Sequence, residues 1–348
     1  MVPDAQSDLT MYLIAGGAGF LGKNLAERII AKENIPVRIF DRREKVFFSP
    51  RCEYIKGDVV NKSDVESAVK GCDVIFNLVS ILPSSRAGKK FYNINTEGTR
   101  NILEVALRNG VKKILHVSSS VVYGIPKVIP LTEESEVKPI GDYGRSKLLS
   151  EEICLEYIKK GLDITILRSR FIIGPGRLGI LTILFDWINK GKNIYLIGKG
   201  ENRFQMVSIF DLIEACLLAQ ENGESGIYNI GADNVPQVKE LLGALVKHAN
   251  TGSQVVPTNA PIAKFILYIL DKTNLIPLVK EQYGIGDKDY IVDTSKAKRD
   301  LGWVPKYGHI EMMNSAYDWY VVHRNDVSRE FLSDFPREGL LKVLKRFS

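Results

Sequence analysis

The sequence predicts an α/β fold, a doubly wound parallel sheet with a smaller C-terminal portion. Three observations predict it. Apolar strand-like runs alternate with helix-like segments from residue 12 to 169, joined by short links. Residues 74–79 form an apolar run broken only by Asn77, as expected of a central strand covered on both faces. The chain has 348 residues, 45% apolar and 25% charged, enough for a sizeable core and unlike disordered or collagen-like chains.

The elements follow in order. Tyr12–Ala15 is a short apolar strand ending in a glycine cluster. Helices are expected over 21–32, 64–70, 96–109 and 146–160, with Gly110 and Gly161 ending the last two. The intervening strands are expected over 37–41, 53–59, 74–79, Lys113–Ser119 and Ile164–Ser169. Gly and Pro cluster at 174–179, which marks a boundary. A first unit over 9–174 is rejoined by about 205–231, through a late strand at Gly226–Ile230. Residues 175–348 form the smaller α/β portion, with a helix at Val238–Ala249. The apolar stretch 261–270 carries Lys264 and is too short to span a bilayer, so it reads as a buried or surface helix.

Charge and cysteines narrow the setting. Lys and Arg number 47 against 41 Asp and Glu, a net +6 that is scattered and does not imply nucleic acid. The small cluster Lys342, Lys345 and Arg346 does not change this. Residues 1–10 carry Asp4 and Asp8 and no apolar run, unlike a signal peptide. Cys52, Cys72, Cys154 and Cys216 lie far apart, which fits a reducing cytoplasm better than a disulfide framework. His116, His248, His309 and His323 show no ligand spacing, so no metal is expected.

The first chemical signal is Gly16-Gly17-Ala18-Gly19-Phe20-Leu21-Gly22, in the first βα turn. Gly16 permits the tight turn, Gly19 a close backbone approach to a pyrophosphate, and Gly22 close helix–strand packing. The helix N-terminus that follows offers N–H groups and partial positive charge to the anion. The expected site therefore includes Gly16, Gly19, Phe20, Leu21 and Gly22 in a Rossmann-type dinucleotide fold. Asp41 ends the next strand, 19 residues after Gly22, where a carboxylate can hold ribose hydroxyls. Asp58, followed by Val59, ends the third strand within reach of the adenine edge. Asp41 favours NAD by repelling a 2′-phosphate, while Arg42 and Arg43 leave NADP as the less favoured cofactor.

The second signal is Tyr143-Gly144-Arg145-Ser146-Lys147, with Tyr143 and Lys147 on one helix face. A lysine ammonium and an oxidised nicotinamide would favour the phenolate of Tyr143. Tyr143 can then take the proton of a substrate alcohol as its carbon gives up hydride. The third signal is Ser118-Ser119-Ser120 at the end of the fifth strand, where ligands of open α/β sheets bind. A hydroxyl there can orient the reacting oxygen.

In this order the sequence resembles the extended short-chain dehydrogenase/reductase family, in its NAD-dependent epimerase/dehydratase group. The glycine loop, the run Ser118-Ser119-Ser120-Val121-Val122-Tyr123-Gly124 and the Tyr143/Lys147 pair carry the resemblance. Residues 93–99, 170–176 and 294–305 add weaker support, and the likeness covers about residues 10 to 310. The resemblance implies catalytic Ser119, Tyr143 and Lys147, with Lys147 also holding the nicotinamide ribose. It implies that Leu78, Val79, Ser80, Asn95, Ser118, Phe171, Ile172 and Ile173 line the cofactor. Residues 200–207 resemble the stretch lying against a nucleotide diphosphate, giving Arg203, with Ser119 and Ser120, as substrate contacts.

The implied function is NAD-dependent epimerisation of a sugar nucleotide by transient oxidation of a hydroxyl. The alternative is an alcohol dehydrogenase or ketone reductase of the 3β-hydroxysteroid or flavonol-reductase type. A non-catalytic NAD(P)-binding relative is disfavoured because Tyr143 and Lys147 are both present. Dehydratases and sugar-acid decarboxylases of the family place acidic groups where this chain has Ser120 and Val121, which disfavours both activities. The family also implies a homodimer through the helices at 96–109 and 146–160.

Overall fold

The computed structural model describes residues 10–334, apart from 33–34, 45–48, 82–86, 178, 274–277 and 279. The basic cluster at Lys342, Lys345 and Arg346 and the N-terminal segment 1–9 lie outside the described residues. The chain runs β1 (Tyr12–Ala15), α1 (Phe20–Lys32), β2 (Val37–Asp41), β3 (Cys52–Lys56), α2 (Lys62–Val69) and β4 (Val74–Asn77). It continues through α3 (Gly98–Arg108), β5 (Lys113–Ser119), α4 (Asp142–Lys159), β6 (Ile164–Ser169) and β7 (Phe171–Ile173). Then come α5 (Ile180–Asn189), β8 (Ile194–Tyr195), β9 (Met206–Ser208), α6 (Ile209–Asn222) and β10 (Gly226–Ile230). The remainder is α7 (Val238–Ala249), β11 (Val255–Val256), α8 (Ala260–Lys272), α9 (Lys280–Tyr283), α10 (Ser295–Leu301) and α11 (His309–Asp334).

Seven parallel strands form the central sheet in the order β10-β6-β5-β4-β1-β2-β3. Successive side chains of a strand point to opposite faces, and the core divides accordingly. Tyr12 and Ile14 pack with Leu25, Ile29 and Leu217 beneath α1 and α6. Leu13 and Ala15 pack with Ile102, Val105 and Cys154 beneath α3 and α4. The strand order reverses between β1 and β4, which opens a crevice beyond their carboxyl ends. A separate apolar cluster joins Phe185, Leu241, Leu245, Met313 and Tyr317 from α5, α7 and α11.

Several expectations shift in detail. The strand expected over 53–59 stops at Lys56, because the Asp64 carboxylate takes the Asp58 N–H and Asn61 caps α2. The strand expected over 74–79 stops at Asn77, whose side chain accepts from the Val79 N–H. The helix expected from residue 96 begins at Gly98 after a wide helical turn, Tyr92–Glu97, that carries Asn95. The helix expected from 146 begins at Asp142, so Tyr143 sits in its first turn. The apolar stretch 261–270 lies on the surface: α8 buries no residue, and Ile262, Phe265, Ile266 and Ile269 form an exposed row. No helix among the described residues is long and apolar enough to cross a membrane.

Candidate active site

The glycine loop is packed backbone against backbone. Gly16 has φ +79°, and a Cβ there would stand 3.0 Å from the backbone of Leu78 and Val79. At Gly22 a Cβ would stand 2.5 Å from the Gly17 Cα, so helix and loop meet at a distance only glycine allows. Behind the loop, α1 begins at Phe20 with no acidic residue in its first turn. A helix cannot satisfy its own first N–H groups, which leaves this end suited to an anion. Leu21 is buried in the core, and Phe20 lies 5.4 Å beneath the Arg177 guanidinium.

Asp41 is held close to the loop. Its Oδ2 accepts from the Ala18 N–H at 3.0 Å and its Oδ1 from the Arg43 N–H at 3.1 Å. Arg43 also donates to the Ala18 carbonyl at 3.2 Å, whereas Arg42 is exposed. Asp58 is half-buried and spends Oδ1 on the Val60 N–H, while Val59 packs against Gly98 of α3. A cradle that a Cβ would fill, a helix N-terminus and a carboxylate at the end of β2 fit the pyrophosphate and ribose of a dinucleotide.

The catalytic candidates converge across the crevice from this loop. Ser119 ends β5, and its hydroxyl accepts from the Val121 N–H at 3.4 Å as the chain turns. Tyr143, half-buried, packs edge-to-face on Phe91 at 5.9 Å, and the Ser80 and Ser119 hydroxyls favour the charged form of its phenol. Burial pushes that phenol above its usual value, against the two serines and the Arg177 charge. Lys147, one turn on, is 2% exposed and donates to the Val117 carbonyl at 2.9 Å. Burial pulls its ammonium down to about 8, with the Glu151 carboxylate opposing the shift.

Asn95 ties the parts together. Its Oδ1 accepts from the Ile81 N–H at 3.1 Å and its Nδ2 donates to Ser146 at 3.0 Å. The loop after β4, with Leu78, Val79 and Ser80 half-buried on it, is thereby tied to α4. Ser118, by strand alternation, faces the other way and donates to Glu151. Ser120 accepts from Arg170 at 2.8 Å. In β7, Ile173 is fully buried, while Phe171 and Ile172 are half-buried beside β9. Arg203 is exposed, and its backbone pairs with Asp289 and Tyr290. Asp211 lies in the first turn of α6, and its carboxylate accepts from the Lys306 and Tyr307 N–H groups.

Sequence reasoning missed Arg168, Arg170 and Arg177. Arg168 forms a buried ion pair with Glu151, and Arg170 is stacked between Tyr290 and Phe204. The signal was present in Ile166-Leu167-Arg168-Ser169-Arg170-Phe171-Ile172: arginines inside an apolar strand need partners.

Residues 12–231 match the NAD dependent epimerase/dehydratase family. The chain belongs to that family. Members of this family are NAD-dependent enzymes, and its cofactor is NAD. Among its relatives is the sterol-4-alpha-carboxylate 3-dehydrogenase (decarboxylating) of Mus musculus, 32% identical over 60% of this chain. The chain spans only 59% of that enzyme's length. UDP-arabinose 4-epimerase 1 of Arabidopsis thaliana is 27% identical, over 91% of this chain and 81% of its own. The crystal structure of the Thermotoga maritima UDP-glucose 4-epimerase with UDP-glucose shares the fold, with a TM-score of 0.74 at 23% identity. That match covers 90% of this chain and all of that one.

Proposed function

We propose that this family member oxidises a substrate hydroxyl transiently at Ser119, Tyr143 and Lys147, and that the net reaction is epimerisation of a nucleotide sugar. One observation carries the reading: the Ser119 hydroxyl favours the charged form of the Tyr143 phenol, and buried Lys147 stands one helical turn behind. Bound NAD supplies the acceptor and donor of a hydride. Ser119 orients the reacting oxygen, and Tyr143 takes its proton and later gives it back. Lys147 supplies the positive charge that favours the phenolate. Ser120 is occupied by Arg170 and Val121 carries no ionisable group, which argues against elimination chemistry. The length-wide likeness to UDP-arabinose 4-epimerase 1 supports the nucleotide sugar.

Tyr143→Phe tests the reading. Turnover should fall by about 100-fold or more while NAD affinity is retained. Wild-type turnover in that variant would falsify it. An epimerase regenerates its own cofactor, so the purified protein should carry NAD. A second reading, oxidation of an apolar alcohol, is favoured by the exposed row on α8 and by the sterol relative. In that case NAD must exchange each cycle and extraction of the purified protein should release none. The proposal also includes a cytoplasmic homodimer through α3 and α4, whose outward Leu107, Leu149 and Leu155 are exposed. Light scattering of a monomer would remove that part.

A further inference from the structure

Two arginines at the end of β6 are almost sealed from solvent, Arg168 at 3% and Arg170 at 4% exposure. They stand two residues apart and differ in one respect. In Arg168, Nε and Nη2 occupy one edge of the guanidinium and donate to the Glu151 carboxylate at 3.1 and 2.8 Å. In Arg170 the same two nitrogens are buried and find no acceptor among the described residues. Only its Nη1 is used, donating to Ser120 Oγ at 2.8 Å.

The surroundings of Arg170 hold the group in place without satisfying that edge. The Tyr290 and Phe204 rings lie 4.0 and 4.9 Å from the guanidinium carbon. Aromatic faces attract the cation and fix its plane, but they do not accept its in-plane N–H bonds. Tyr290 in turn donates to the Ser120 carbonyl, so the assembly is fastened to the residue next to Ser119. A sealed guanidinium with two unmet donors is costly, and its cost is recovered when an anion meets them.

We propose that Arg170 reads a carboxylate carried by the substrate close to the hydroxyl engaged by Ser119 and Tyr143. This rests on the catalytic reading above and narrows its substrate to a carboxylated alcohol. The free edge offers two parallel donors in one plane, which match the two coplanar oxygens of a carboxylate. Glu151 shows the same match on Arg168, where Nε reaches Oε1 at 3.2 Å and Nη2 reaches Oε2 at 2.8 Å. A dianionic phosphate would call for more than one cation and a wider set of donors than this ring-walled position offers.

The carboxylate can come from a sugar acid or from an apolar hydroxy acid, and the test separates them. NAD-loaded protein is titrated by calorimetry with two matched pairs: UDP-glucuronate against UDP-glucose, and 3-hydroxyoctanoate against 2-octanol. In one pair the carboxylated member should bind about tenfold to a hundredfold tighter than its neutral counterpart. Arg170→Met should erase that preference, bringing the carboxylated member's affinity down to that of its neutral counterpart. Arg170→Lys keeps the charge without the fork, should lose most of the preference, and gives the readout if the methionine variant does not fold. Preference in the hydroxy-acid pair alone would keep this assignment and remove the nucleotide sugar. Tyr143→Phe separates the remaining failures, because its turnover tests the catalytic reading and its carboxylate preference tests Arg170. A preference that survives both Arg170 substitutions overturns the proposal, as does no preference in either pair. Equal loss of UDP-glucose and UDP-glucuronate affinity in Arg170→Met overturns it too, by making Arg170 a phosphate partner.

Discussion

The glycine loop after β1 and the serine stretch after β5 stand at the same carboxyl edge of one sheet, and they are built from different materials. At the first, backbone meets backbone: Gly16 against Leu78 and Val79, Gly22 against Gly17. Its one buried charge, Asp41, is answered by neighbouring N–H groups. At the second, side chains from distant parts of the chain meet: Ser119, Tyr143 and Lys147, then Arg168 with Glu151, then Arg170 between Tyr290 and Phe204. A cofactor common to a whole family can be held by backbone geometry. A particular substrate has to be recognised by side chains, and their charges must be balanced inside the protein or by the ligand.

Variants sharpen this contrast. Arg168→Met should cost about 3–5 kcal/mol, because it leaves the Glu151 carboxylate buried without its partner. Adding Glu151→Leu should recover most of that loss, and denaturant titration of the two proteins reads it. A single variant as stable as wild type would show that Glu151 does not depend on Arg168. Gly22→Ala should cost about 3 kcal/mol by forcing a methyl into the loop backbone, and NAD affinity should fall with it. Unchanged melting and binding would mean that the loop can open, contrary to its packing.

Lys147 gives a pH-dependent version of the contrast. Its folded-state value of about 8 lies below the unfolded value of about 10.4, so protonation at lower pH opposes folding. Stability relative to Lys147→Met should therefore rise from about pH 8 to about pH 10.4 in the cofactor-free protein. A flat difference across that range would refute the burial cost at this site. The smallest effect is expected at Arg170. Arg170→Met should change stability by no more than about 1 kcal/mol, or raise it, since no buried carboxylate loses a partner. A loss as large as that of Arg168→Met would make Arg170 a structural residue and end the distinction between the two arginines.

The cofactor half was legible because its constraints are local. A glycine is needed where a Cβ would strike the backbone, and an acidic residue falls at the end of the next strand. Both leave marks at fixed spacing. Strand ends were less legible, since Asp64 and Asn77 decide them through side-chain bonds that periodicity does not reveal. Ser118 and Ser119 are adjacent in the sequence, yet alternation sends one to Glu151 while the other takes the Val121 N–H. The site beyond β6 was nearly illegible, because Arg170 meets Ser120, Phe204 and Tyr290 only through tertiary packing.

The alternating strands and helices and the glycine-rich turn after β1 are legible in the chain alone. Each follows from short-range sterics or from a period of two or about 3.6 residues. Only the tertiary structure decided which arginine is neutralised and which is left with a donor edge unmet. Burial and hydrogen-bond pairing depend on groups far apart in sequence, as with Ser120 and Tyr290, 170 residues apart, and no local pattern encodes them.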